Sequence, residues 1–213
     1  MKEKDYKKFF RGFLLSLCIT MFLIITFFVI KYDNLVIDQS IYNFFYNFSS
    51  SQATVIFLII TFLASKEFII LMCLIFILIS LIKRKYQTSF LIILNIVISL
   101  LLNQTFKAII RRERPFELMI VNESGYSFPS GHSMTALIFY GYFIYLTWES
   151  NLKKISKILI TILNIILILL VGISRIYLGV HYPTDVIGAY FLGLFYLILY
   201  INITNNYIKR KIK

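Results

Sequence analysis

Residues Ile173 to Asp185 read ISRIYLGVHYPTD and join two long apolar runs, Ile158 to Ile173 and Val186 to Ile203. The stretch brings a Ser-Arg pair, a histidine and an aspartate to the mouth of those runs. Ionisable side chains are costly to hold at the edge of a membrane, so they are candidates for function. Pro183 suits the first turn of a helix, where its missing N–H goes unnoticed. A helix begun there lets the Asp185 carboxylate reach a ring nitrogen of His181, four residues earlier. A carboxylate on one imidazole nitrogen fixes the tautomer and leaves the other free to attack or to accept a proton. Arg175 adds a planar cationic fork that matches phosphate or carboxylate. Taken alone, the segment also fits a helix-ending loop whose charges face water. Two further sites decide between these readings.

The apolar runs are representative of the chain. Its 213 residues are 59% hydrophobic and 15% charged, and its mean hydropathy is +0.81. A soluble domain is nearer 25% charged, so the chain reads as an all-α, polytopic membrane protein. The net charge of +12 does not imply nucleic acid, because the cations lie mainly in short clusters between apolar runs. Aromatic residues, mostly Phe and Tyr, reach 17% and suit a lipid-facing surface with interfacial rings. Cys18 and Cys73 both sit inside apolar runs and read as free thiols, without a disulfide or a metal site. No repeat or linker divides the sequence, which reads as one integral domain over 1–213.

Charge sets the topology. A basic segment, Met1 to Arg11, precedes the uncharged run Gly12 to Ile30, which is long enough to span and too long for a signal-peptide core. It reads as an uncleaved anchor. Ile37, Ile41, Phe44, Phe45 and Phe48 then recur at helical spacing, as in a short helix lying in the membrane surface. Ala53 to Ala64 is apolar but short. Lys83, Arg84 and Lys85 form the next basic cluster, and basic loops stay cytoplasmic. One crossing therefore separates the first span from that cluster. Ala53 to Ala64 becomes an interfacial or re-entrant piece, and Lys66 to Ile82 the second span. Ser89 to Phe106, Gly131 to Trp148, Ile158 to Ile173 and Val186 to Ile203 complete six spans, with Lys153, Lys154 and Lys157 on the next inner loop. Asn95, inside the third span, is expected to bond to a neighbouring helix. Of 22 Lys and Arg, 15 fall in the four segments assigned to the cytoplasm, which include both termini. Five of the other seven cluster in the two outer segments that border histidines, which calls for an anionic ligand.

The first of those segments is KAIIRRERP, Lys107 to Pro115. Lys107, Arg111 and Arg114 share one face if the third span continues as a helix, and Pro115 then stops it. Such a stripe suits phosphate, or lipid head groups reached by snorkelling. The second is Pro129-Ser130-Gly131-His132, set directly against an apolar helix. Ser130 is placed to cap that helix and Gly131 to admit a ligand close to the backbone. The free amides of the helix start form an anion site, with His132 projecting beside it. With the opening stretch, all three sites fall on one membrane face.

Together, K-X6-R-P (Lys107 to Pro115), P-S-G-H (Pro129 to His132) and S-R-X5-H-X3-D (Ser174 to Asp185) resemble the three-part signature of the type-2 phosphatidic acid phosphatase superfamily, without substitution. That superfamily also contains vanadium haloperoxidases and glucose-6-phosphatase. The resemblance implies roles. His181 is the nucleophile that forms a phosphohistidine, Asp185 orients it, and His132 protonates the leaving oxygen and then activates water. Lys107, Arg114 and Arg175, with the Ser130 hydroxyl and the Gly131 amide, hold the phosphoryl oxygens. Arg111 and Arg112 stand outside the signature, as groups that steer substrate or contact lipid. Three cations supply the neutralisation that a metal gives elsewhere, so no metal and no cofactor is expected. The implied substrate is a lipid phosphate such as phosphatidylglycerol phosphate or phosphatidic acid, met in the cell membrane on its outer face. Undecaprenyl pyrophosphate is the alternative substrate. A protein that only binds or transports phosphorylated lipid is the alternative of another class, and a haloperoxidase is disfavoured by the spans.

Overall fold

The computed structural model describes residues 3–32, 35–84, 86–115 and 119–211. Among them are eight helices and no strand: α1 (Glu3–Lys31), α2 (Val36–Asn47), α3 (Ser51–Phe62), α4 (Lys66–Lys83), α5 (Tyr86–Ile110), α6 (Gly131–Glu149), α7 (Lys154–Tyr177) and α8 (Pro183–Lys211). Of the cations used to orient the chain, Lys2, Lys85 and Lys213 lie outside the described residues.

Helix starts and stops follow local chemistry. The hydroxyl of Ser50 accepts from Ala53 N–H at 3.2 Å and opens α3. Ser65 does the same for α4 through Phe68 N–H, at 3.2 Å. Each satisfies an amide that a helix start leaves orphaned. α4 ends at Arg84, whose φ of 51° turns the chain out of the helix. α8 begins at Pro183, as its ring predicts.

α6 is the centre of the bundle and packs against α5, α7 and α8, while α1 lies on α8, α3 on α7 and α4 on α5. Between apolar helices in lipid the hydrophobic effect has little to drive, so close van der Waals fit carries the packing. Phe22 of α1 is fully buried, stacked on Phe128 with ring centroids 5.8 Å apart and edge-on to Phe106 at 4.9 Å. Gly172 lets α7 approach α8: a Cβ there would lie 2.1 Å from the Tyr190 hydroxyl oxygen. That hydroxyl donates to Ile168 O at 2.6 Å.

The six expected spans meet a more graded picture. Among the described residues four helices are long and apolar enough to cross a membrane alone, over Asp5–Lys31, Ser89–Ile110, Lys154–Tyr177 and Pro183–Asn205. α3 and α4 meet at a bend of 41° and make a fifth only when taken together as one broken span. α4 by itself, expected as the second span, carries Lys66, Glu67 and Lys83 at its ends. α6 falls short on composition, and its surroundings explain why. Ser133, Met134, Thr135, Ala136, Ile138, Phe139, Tyr140, Tyr142 and Thr147 are all buried, so protein rather than lipid covers its polar groups. Asn95 is only partly as expected. It is buried, and Tyr196 Oη–H donates to its main-chain oxygen at 3.0 Å, yet its side-chain oxygen has no partner.

α2 is amphipathic with its faces reversed relative to a soluble helix. Ile37, Phe44 and Phe48 are exposed, and the buried side is Asp38 and Tyr42. An apolar outer face and a polar inner one suit a helix in the membrane surface.

Candidate active site

Four helix ends and the chain between them build one site. α5 contributes Lys107 from its last turn, and the extended segment after it contributes Arg112 and Arg114. α6 presents Gly131 and His132 from its first turn. α7 ends on Arg175. The chain then reverses through Gly179, in the left-handed region at φ 72°, where a side chain would be strained. This turn delivers His181 to the first turn of α8, which bears Asp185.

His181 and Asp185 are 1% and 0% exposed, and Nδ1 of the ring lies 3.3 Å from Asp185 Oδ2. Oδ2 also accepts from Ser127 Oγ–H at 2.7 Å and from Tyr182 N–H at 2.9 Å, while Oδ1 accepts from Arg112 Nη1 at 2.6 Å. A carboxylate so fully bonded cannot rotate away from the imidazole. With Nδ1–H donated to it, Nε2 bears the lone pair, and this atom meets Arg114 Nη1 at 3.2 Å. Burial pushes the His181 pKa from 6.5 down to about 3, helped by the charges of Arg175 and Lys107 and opposed by Asp185. At neutral pH the ring is therefore an uncharged base.

Lys107 and Arg114 are held mainly by neutral oxygens, with Arg114 also 3.5 Å from Glu123 Oε2. Lys107 donates to the carbonyls of Tyr126 and Ser127. Arg114 donates to Val180 O at 2.8 Å, Gly125 O at 2.9 Å and Ser124 O at 3.2 Å. Carbonyls orient these groups without cancelling their charge. Arg175 differs: it ion-pairs with Glu123 at 2.5 Å, donates to Thr61 Oγ1 at 2.8 Å, and its Nε is buried without a partner. Burial works to raise the Glu123 pKa, but Arg175, His132 and Arg114 outweigh it and hold the carboxyl below its usual range.

A cavity of about 570 Å³ opens among these groups, lined by Lys107, Arg114, Glu123, Gly131, His132 and His181. It shares Ala64, Lys66, Leu100 and Thr135 with an adjoining apolar cleft of about 320 Å³ between α4 and α5. Among the described residues no group of three or more His, Cys, Asp or Glu is arranged to hold a metal ion.

Three readings from sequence need correction. Lys107, Arg111 and Arg114 do not share a helical face, because α5 ends at Ile110. Arg111 turns outward at φ 53° and is exposed, while Arg114 reaches the site from extended chain. Ser130 occupies the cap position of α6, but its hydroxyl makes no cap bond. It is fully buried and bonds Ser133 Oγ at 2.9 Å, while its N–H donates to Asp185 O at 3.1 Å. Arg112 does not reach for lipid; it is buried between two aspartates, Asp185 and Asp38. Sequence reasoning missed Asp38, Glu123 and Ser127. Only Asp38 left a trace, as a lone acid inside an otherwise apolar helical pattern.

A histidine braced by an aspartate, in a cationic hollow between helix ends of a membrane-type bundle, defines a class of integral-membrane, anion-handling proteins. Residues 88–209 match the PAP2 superfamily, and the chain belongs to it. The chain is 43% identical over 116 residues to phosphatidylglycerophosphatase B of Bacillus subtilis, covering 52% of this chain and 55% of that protein. It is 32% identical over 117 residues to undecaprenyl-diphosphatase of Sulfolobus acidocaldarius, covering 52% of each. It thus aligns with about half the length of these curated relatives. A crystal structure of a transmembrane PAP2-type phosphatidylglycerolphosphate phosphatase from Bacillus subtilis superposes with a TM-score of 0.79 at 29% identity, over 90% of this chain and 96% of that one. LpxE of Aquifex aeolicus shares the fold, with a TM-score of 0.62 at 23% identity over 80% of this chain and 98% of that one.

Proposed function

We propose that the chain is a lipid phosphatase that works through a phosphohistidine on His181. The carrying observation is the bonding of His181: Asp185 takes Nδ1, and Nε2 faces the cationic cavity as an uncharged base. Attack of Nε2 in line on phosphorus forms the N–P bond as the ester or anhydride oxygen leaves. His132 gives that oxygen its proton, then takes one from the water that cleaves the N–P bond. Asp185 offsets the positive charge that grows on the ring. Lys107 and Arg114 hold the phosphoryl oxygens with charges already in place, and the Gly131 amide adds a donor at the start of α6. Arg175 contributes once Glu123 yields to the incoming anion. Ser130 acts from behind, through its ties to Ser133 and Asp185, in place of the direct hydroxyl contact read from sequence. No metal is required in this scheme.

Continuity of the cavity with the apolar cleft supports a lipid substrate, whose tail rests between α4 and α5 while its head group meets the histidines. We read the chain as one integral domain with six spans, α3 and α4 forming a broken second one and α6 the fourth. Both termini then lie in the cytoplasm and the site opens on the outer face of the cell membrane. The likeness to phosphatidylglycerophosphatase B favours phosphatidylglycerol phosphate. The likeness to undecaprenyl-diphosphatase favours undecaprenyl pyrophosphate as the second reading. The test is phosphate release in detergent with EDTA from these two lipids and from phosphatidic acid. Release is expected from the unsubstituted chain and its loss from folded His181→Ala and His132→Ala. Turnover retained by His181→Ala would overturn the assignment of the nucleophile, and binding of all three lipids without release would favour a carrier.

A further inference from the structure

Asp185 is bonded on two sides, and only one faces the histidine. The other side leads to a second acid that none of the signature motifs contains. Arg112 lies between Asp185 and Asp38: Nη1 donates to Asp185 Oδ1 at 2.6 Å, and Nη2 to Asp38 Oδ2 at 2.7 Å. Thr184 closes the ring. Its hydroxyl accepts from Arg112 Nη1 at 2.8 Å and donates to Asp38 Oδ2 at 2.7 Å, and its N–H donates to Asp38 Oδ1 at 2.9 Å. The Arg112 guanidinium also rests over the Tyr182 ring, 4.2 Å from its centroid. Asp38 is 1% exposed and comes from the membrane-surface helix α2, far away in sequence.

Two buried carboxylates are satisfied by one buried arginine, so the group of three carries a net single negative charge. An arginine alone on Asp185 would neutralise the carboxylate that must offset the charge growing on His181 during attack. A second acid on the arginine restores that negative charge while the arginine keeps fixing the carboxylate in place. From this geometry we infer that Asp38 and Arg112 are a positioning pair for the phosphatase reaction. Asp38 turns Arg112 from a quencher of Asp185 into its brace, and α2 is thereby part of the catalytic apparatus. Neither residue touches the cavity; both act through Asp185 on His181.

This inference rests on the phosphatase reading, and one set of measurements separates the two. Steady-state phosphate release is followed for Asp38→Asn, Asp38→Glu, Arg112→Gln and the double variant Asp38→Asn/Arg112→Gln. Rates are normalised to protein that remains folded in detergent. Asp38→Asn is expected to lower kcat by about tenfold with KM changed less than about twofold, because the loss falls on the charged transition state and not on lipid binding. Asp38→Glu should return most of kcat. In the Arg112→Gln background, Asp38→Asn should lower kcat by less than about twofold, since its effect runs through the arginine. Should Asp38→Asn not fold, Thr184→Val removes the hydroxyl that joins the pair and is expected to lower kcat several-fold at unchanged KM. An unchanged kcat per folded molecule, a change confined to KM, or losses that multiply in the double variant would each overturn the positioning role. Absence of phosphate release from the unsubstituted chain would instead defeat the phosphatase reading, and the pair's role with it.

Discussion

His181 shows how burial and a partner pull a side chain in opposite directions. Asp185 favours the charged ring, burial disfavours it, and burial prevails. Two expectations follow from the sign. His181, the proposed nucleophile, stays unprotonated on acidification until about pH 3, so an acid limb of phosphoenzyme formation above that pH is expected to arise from another group. Stability moves too. The unfolded chain binds the His181 proton near 6.5 and the folded chain only near 3, so stability owed to this ring falls as pH drops through that interval. Thermal unfolding in detergent checks this: between pH 6.5 and 5 the wild-type midpoint should fall more steeply than that of His181→Asn. Equal slopes would contradict it. Histidine, aspartate and the signature cations were readable from sequence because each sits in a short motif with fixed spacing. Glu123 was not, because its pairing with Arg175 depends on a loop that no periodicity describes.

Helices behaved differently from side chains. Uncharged apolar runs and the basic clusters that flank them placed α1, α5, α7 and α8 well, and Pro183 marked the start of α8. The error over Lys107, Arg111 and Arg114 came from extending α5 one turn past Ile110, where the chain in fact leaves the helix at Arg111. The reversed faces of α2 also explain why Asp38 escaped notice. Its exposed Ile37, Phe44 and Phe48 carry the pattern, whereas the residue that matters lies on the opposite side. α4 and α5 together bound the apolar cleft, and Leu100 belongs to both it and the cationic cavity. Leu100→Trp is expected to narrow that junction. kcat/KM for a long-chain lipid phosphate should fall about tenfold, the size of effect a misfit in an apolar pocket brings. A short-chain, water-soluble phosphate ester should be hydrolysed as before. An equal loss on both substrates would show that the cleft does not hold the tail.

Across the bundle, the most central helix is one that does not pass as a span by itself. α6 was expected as a span from its apolar run and the charge alternation, yet it falls short on composition, because it carries Ser133, Thr135, Tyr140, Tyr142 and Thr147, all of which its neighbours bury. Sequence reading judged the spans by what lipid would tolerate, and α6 meets protein instead. Its crossing can be tested with single cysteines at exposed sites on either side, Ser124→Cys and Asn151→Cys, in a chain whose Cys18 and Cys73 are replaced. An impermeant thiol reagent added to intact cells should label the first and spare the second. Labelling of both, or of the second alone, would contradict the proposed orientation.

The proposed phosphatase reaction turns on one bond, from Nε2 of His181 to phosphorus. Rapid quenching of turnover with a lipid labelled on its terminal phosphate should trap an acid-labile, base-stable phosphoenzyme, with the label on His181 and none in His181→Ala. Label on another side chain, or full turnover with no labelled protein at any time, would contradict the account.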